Sequence, residues 1–119
     1  MDTKQIAEGY AKAWTSGDVE TALTFLKEDV VCDAPAGRIE GVAAYRPFTQ
    51  KFVDLLTEAT VTKVLADEGS AAIVYSIDTP WTKGFRCAEY MTIEDGKIAH
   101  VTTIFDRLPA AEAARNAQG

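Results

Sequence analysis

The sequence predicts an α+β fold in which N-terminal helices pack on one face of an antiparallel sheet. Three observations carry that prediction. Apolar residues in the first half recur at helical spacing, while the second half is a series of β-branched, alternating segments. Between the last two of those segments stands Asp95-Gly96, a pair suited to a two-residue hairpin turn that needs positive φ.

The elements follow in order. Ile6, Tyr10, Ala13 and Trp14, with Ala7 and Ala11 beside them, form one face of a first helix, for which Thr3 is the expected N-cap and Ser16-Gly17 the end. Asp18 caps a shorter second helix whose face is Val19, Ala22, Leu23 and Leu26. Residues 30–33 read as a short strand, halted by Ala34-Pro35-Ala36-Gly37. Tyr45, Phe48, Phe52, Leu55 and Leu56 indicate a third helix. Pro47 would leave a carbonyl unpaired in its first turns, so a kink or a late start is expected there. Strands are predicted over residues 60–66, 70–79, 85–94 and 97–106, punctuated by Gly69, residues 80–84 and Asp95-Gly96. The Ala-rich stretch 109–119 is either a loose final helix or a frayed tail.

Composition bounds the function. The 119 residues, 47% apolar and 25% charged, suit one domain spanning 1–119 with a real core. Twelve Lys and Arg against eighteen Asp and Glu give a net charge of −6, which argues against a nucleic-acid or anionic-membrane surface. No apolar run approaches the roughly 18 residues of a membrane span. The opening Met-Asp-Thr-Lys-Gln has no signal-peptide core, so a cytoplasmic location is expected. With one His and no CxxC, neither a metal site nor a cofactor is expected, and Cys32 and Cys87 read as reduced core thiols in preference to a disulfide. GxSxG, glycine-rich phosphate-loop and HExxH motifs are all missing.

The hairpin register predicts which side chains meet. If Glu94 faces Lys97 and pairing continues without a break, one face carries Phe85, Cys87, Glu89, Met91 and Ile93 opposite Asp106, Ile104, Thr102, His100 and Ile98. That face should meet the helices, and it would place Glu89, His100 and Asp106 among apolar neighbours, where charge is costly unless paired or wet. The other face would hold Phe105, Val101, Tyr90 and Ala88, an apolar patch suited to a homodimer contact through the outer sheet face.

Three stretches carry a family resemblance: residues 10–18 (YAKAWTSGD), residues 25–31 (FLKEDVV) and Asp33-Ala-Pro-Ala-Gly37. They resemble the opening of ketosteroid isomerase and, more broadly, the nuclear-transport-factor-2-like superfamily that includes SnoaL-like polyketide cyclases. Asp95-Gly-Lys-Ile98 through Phe105-Asp-Arg-Leu108 is similar to the close of the SnoaL-like members. The resemblance spans residues 3–108. It implies a cone-shaped α+β barrel, a strongly curved sheet wrapped around a long helix, with an apolar pocket open at one end and often a dimer.

Residue by residue, the resemblance implies roles. Tyr10 matches the isomerase tyrosine that donates to a developing oxyanion, and Glu89 matches its second donor, a protonated Asp in the family. Ala34 stands where the isomerase carries its carboxylate base, with Asp33 one residue earlier. Asp106 matches the acid/base aspartate of the SnoaL-like cyclases. The candidate catalytic set is therefore Tyr10, Glu89, His100, Asp106 and Asp33, in which Tyr10 and Glu89 stabilise an enolate oxygen, Asp106 with His100 moves the proton, and Asp33 is a reserve base. Trp14, Phe48, Phe52, Trp81 and Met91 are the candidate walls for a small apolar ligand.

Each candidate also has a plainer role: Glu89 a surface rung, His100 a rim residue, Asp106 a turn cap or ion pair, Asp33 a turn former, Tyr10 a core residue with Glu89 as its partner. Two functions follow. One is a cofactor-free isomerase, cyclase or dehydratase acting on a small apolar carbonyl compound. The other is a non-catalytic dimeric protein that binds an apolar ligand or serves assembly, a reading favoured by Ala34.

Overall fold

The structure, a computed structural model, describes residues 1–106 and positions 112, 115 and 116. Most of the tail or helix expected over residues 109–119 lies outside the described residues. Helix α1 spans Thr3–Thr15 and buries Ile6, Tyr10, Ala13 and Trp14 on one face. Its N-cap is Asp2 and not Thr3. The Asp2 carboxylate accepts the Gln5 N–H at 2.8 Å while the Gln5 amide oxygen accepts the Asp2 N–H at 3.0 Å, a reciprocal capping box. The Thr3 hydroxyl instead accepts the Gly69 N–H at 3.4 Å. Helix α2 is Val19–Leu23, capped by Asp18 as expected; it ends before Leu26, which opens a strand. Helix α3, Val42–Leu55, does not start late. It runs from Gly41 straight through Pro47.

Six strands form one sheet: β1 Leu26–Ala34, β2 Gly37–Glu40, β3 Glu58–Ala66, β4 Ser70–Asp78, β5 Phe85–Glu94 and β6 Lys97–Ile104, in the order β2-β1-β6-β5-β4-β3. The helices pack on this curved sheet, α1 over β3 and β4, α3 over β1. Two expectations are corrected. The sheet is mixed, because β1 runs parallel to β6 although every other pair is antiparallel, and it keeps two edges, so it curves without closing into a barrel. The first strand is also longer than residues 30–33. Beyond it, Pro35-Ala36 is the turn of a β1–β2 hairpin that pairs Ala34 with Gly37.

The expected turn at Asp95-Gly96 is present, with φ of 53° and 76°. The register beyond it is not the unbroken one. Glu94 pairs with Lys97 and Ile93 with Ile98, but Thr92 then pairs with His100, leaving Ala99 as the extra residue of a bulge. A one-residue slip reverses the faces of everything that follows. Ile98 and Val101 are both fully buried for this reason, and Val101 and Thr103 turn inward, where the continuous register had put His100 and Thr102.

Candidate active site

The inner face of the sheet carries one carboxyl among largely apolar rungs. Ile73, Glu89 and Thr103 lie side by side across β4, β5 and β6, with Tyr75 and Cys87 paired in the next inward row. Helix spacing brings the other wall. Tyr10 and Trp14 project from α1, four residues apart, and Tyr45, Thr49 and Phe52 from successive turns of α3. Between them is a cavity of about 310 Å³, edged also by Phe48, Leu55 and Phe105, with exposed Lys51 at its margin. In its aromatic wall Trp14 packs edge to face on Tyr75, 4.9 Å between ring centroids, and at a tilt on Phe52, 5.7 Å away.

Glu89 is the one carboxyl among the described residues lining this cavity, and it is 6% exposed. Thr103 Oγ1 donates to Glu89 Oε2 at 3.1 Å, while Oε1 has no hydrogen-bond partner among the described residues. Burial pushes the carboxyl up to about 7, and the Thr103 bond pulls back only partly. Burial first, and the nearby Glu89 charge with it, holds the phenols of Tyr10, Tyr45 and Tyr75 above their ordinary value, so all three stay protonated. Tyr10 and Tyr45 share a 2.6 Å hydrogen bond between their hydroxyls. Tyr45, and not the expected Glu89, is the partner of Tyr10. Two hydroxyls sharing one bond leave a second O–H to donate elsewhere, and Thr49 stands beside the Tyr45 hydroxyl. Trp14 Nε1 and Thr49 Oγ1 are likewise buried without a partner among the described residues. Three unmet polar atoms on residues lining one cavity, a proton carrier and two donors, form a set that a carbonyl compound would satisfy.

The sequence candidates divide by face. Tyr10, Glu89, Trp14, Phe48 and Phe52 line the cavity. Asp33 and His100 do not reach it. Asp33 neighbours Thr102 across β1 and β6, both turned to the outer face, and the bulge at Ala99 carries His100 there too. On that face Asp33 accepts two bonds from Arg38, at 2.8 and 3.1 Å, and His100 Nε2 lies 2.7 Å from Asp33 Oδ2. The Arg38 bonds, then the His100 bond, hold the Asp33 carboxyl below its ordinary value. Asp106 is exposed beyond the end of β6 and does not line the cavity. Met91 is buried under the sheet and is not a wall residue either. Trp81 lines a neighbouring chamber.

The expected outer patch changes in the same way: Val101 is buried, Phe105 turns inward to line the cavity, and the exposed apolar side chains on that face among the described residues are Leu65, Val74, Tyr90 and Ile104. Several lining residues escaped the sequence reading as site residues, Tyr75, Tyr45, Thr49 and Thr103 among them. Tyr45 and Thr49, four apart on α3, carried a helical-spacing signal, whereas Thr103 becomes a partner of Glu89 only through the bulge. Cys32 and Cys87 are free and buried, and burial raises each thiol to about 11. Among the described residues no group of three or more His, Cys, Asp or Glu side chains could hold a metal ion, and no helix is long and apolar enough to cross a membrane.

Comparison with known proteins agrees with this fold. The SnoaL-like domain model matches residues 7–101. A solved structure of a Kribbella flavida protein is 36% identical, covering 97% of this chain and 94% of its own, with a TM-score of 0.89. A proposed ketosteroid isomerase from the same organism is 28% identical over 87% of this chain and 77% of that one, with a TM-score of 0.76. A proposed polyketide cyclase from Sinorhizobium meliloti, at 19% identity, covers 84% of this chain and 94% of its own with a TM-score of 0.75, a likeness of fold alone. No curated protein matches the sequence.

Proposed function

Because this chain belongs to the SnoaL-like domain family and has its nuclear-transport-factor-2-like fold, we propose that it is a cofactor-free acid/base enzyme acting on a small apolar carbonyl compound. The observation that carries this reading is Glu89 Oε1, buried and unpartnered in the cavity wall on a carboxyl poised near neutrality. Ionised Glu89 takes a proton from the carbon next to the carbonyl. The developing enolate oxygen accepts from an O–H of the Tyr10–Tyr45 pair or from Trp14 Nε1–H; protonated Glu89 then returns the proton to the far carbon of a conjugated dienolate, or to the alkoxide oxygen formed when the enolate carbon attacks a second carbonyl of the same substrate. The proton moves without net oxidation, which is the chemistry of an isomerase or of an aldol-type cyclase. Glu89 thus takes the proton-moving role that the sequence had given to Asp106 and His100.

The outer face of the sheet is the proposed homodimer contact, and the location we propose is cytoplasmic. Leu65, Val74, Tyr90 and Ile104 are apolar there, and the Arg38–Asp33–His100 cluster brings both signs of charge to one patch, as self-pairing about a two-fold axis requires. Deuterium uptake from D₂O into a panel of enolisable ketones tests the enzyme reading. Wild-type protein should exchange the α-protons, and Glu89→Gln should slow exchange by about 10²-fold or more. If no ketone exchanges and Glu89→Gln leaves ketone binding unaltered, the second reading stands: a non-catalytic binding protein, which Ala34 at the isomerase base position and the outward turn of Asp33 favour.

A further inference from the structure

A second chamber of about 160 Å³ lies beside the Glu89 cavity, and Phe52, Leu55 and Phe105 line both. Its remaining walls come from β4, β5 and the loop between them, including Ile77, Trp81 and Phe85. The two spaces differ in one respect that bears on what fills them. The first holds unmet polar atoms: Glu89 Oε1, Trp14 Nε1 and Thr49 Oγ1. In the second, the threonine and cysteine side chains of the wall already have partners. The Thr79 and Thr82 hydroxyls lie 3.1 Å apart, bonded to each other, and the Cys87 thiol donates to the Phe85 carbonyl at 3.9 Å. A polar group entering there would lose its water and gain nothing.

The chamber is also built and not a chance gap. Backbone bonds between Thr79 and Thr82, at 2.9 and 3.3 Å, close the loop, and Gly84 N–H donates to Asp78 Oδ1 at 2.7 Å. The turn so fixed holds the Trp81 indole at the chamber wall while leaving it 52% exposed. An exposed indole beside a dry chamber is surface that an apolar ligand would cover.

We propose that the ligand is bipartite: an oxygen-bearing head seated at Glu89 and an unbroken hydrocarbon tail that passes Phe52, Leu55 and Phe105 into the chamber beneath Trp81. Placing the head there rests on the cavity reading given above. The substrate class is then a carbonyl compound with an aliphatic or aryl tail lacking polar groups at its far end.

The test titrates the full-length protein with 2-butanone, 2-hexanone, 2-octanone and 2-decanone, and with the same chains ending in a hydroxyl. Tryptophan fluorescence follows the long ketones and NMR shifts the short ones. Wild-type affinity should rise about three- to four-fold per methylene until the chamber is full, and a terminal hydroxyl on the longest chain should cost ten-fold or more. Trp81→Ala, a change at an exposed loop, should weaken 2-decanone about ten-fold and leave 2-butanone unaltered. Affinity indifferent to chain length and terminal hydroxyl, or weakened equally for all ketones by Trp81→Ala, overturns the inference. α-Proton exchange separates the two proposals. Chain-length-dependent binding without exchange supports the bipartite ligand while refuting the enzyme, and exchange without chain-length dependence does the reverse.

Discussion

Thr103 and Glu89 face each other across β6 and β5, and the single bond from Thr103 Oγ1 to Glu89 Oε2 satisfies one carboxyl oxygen while leaving the other bare to the cavity. A half-satisfied buried carboxyl is costly to ionise, and that cost is the source of its chemistry. The predictions below follow from it and from the groups arranged around it.

Stability should fall as pH rises through the weakly acidic range. Folded Glu89 keeps its proton up to about pH 7, whereas an unfolded Glu releases it near 4.5. Between these values the folded state holds the extra proton, so about 3 kcal/mol of stability present below pH 4.5 is lost by pH 7. Urea denaturation at pH 5 and pH 8 checks this, with Glu89→Gln expected to remove the loss.

Proton exchange should follow the same group. Because Glu89 must be ionised to accept a proton, the exchange rate should rise with pH about a midpoint near 7 and level off above it. Thr103→Val removes the bond that favours the ionised form, so the midpoint should move upward. A full pH–rate profile for both proteins measures the shift.

Tyr45→Phe should cost about 1–3 kcal/mol, since it leaves the buried Tyr10 hydroxyl without its partner. The double variant Tyr10→Phe/Tyr45→Phe should cost less than the sum of the two single changes, because the second substitution removes the group that the first one strands. Denaturant midpoints of the four proteins form the cycle.

Asp33→Asn and His100→Ala should leave ketone binding and exchange unaltered, because both side chains lie on the outer face. Their effect belongs to stability in acid. With its folded pKa lowered, Asp33 stabilises the fold above its ordinary titration range, and that contribution disappears as pH falls through the folded value. Comparing acid denaturation of wild type and Asp33→Asn checks the direction.

How far these placements could be read from the sequence depends on one residue. Glu89 was legible because Cys87 and Met91 flank it in a strand of strict alternation, and Tyr10 because it stands on the apolar stripe of α1. The helices, the four-strand run and the Asp95-Gly96 turn were legible for the same reason, since local period and turn chemistry decide them. His100, Thr103 and Asp33 were not. The bulge at Ala99 has no turn residue to announce it, and it exists because Ile98 and Val101 both find the core. The parallel pairing of β1 with β6 joins segments some seventy positions apart, so local pattern is silent about it. Tertiary packing chose both.

Carbon-13 NMR titration of protein labelled at glutamate side-chain carboxyls tests the central claim, that one buried carboxyl in the cavity is held ready to move a proton at neutral pH. The account predicts one carboxyl titrating near pH 7, missing from Glu89→Gln and shifted when an enolisable ketone binds. If every carboxyl titrates in the ordinary acidic range, or the neutral one survives Glu89→Gln, the account is contradicted.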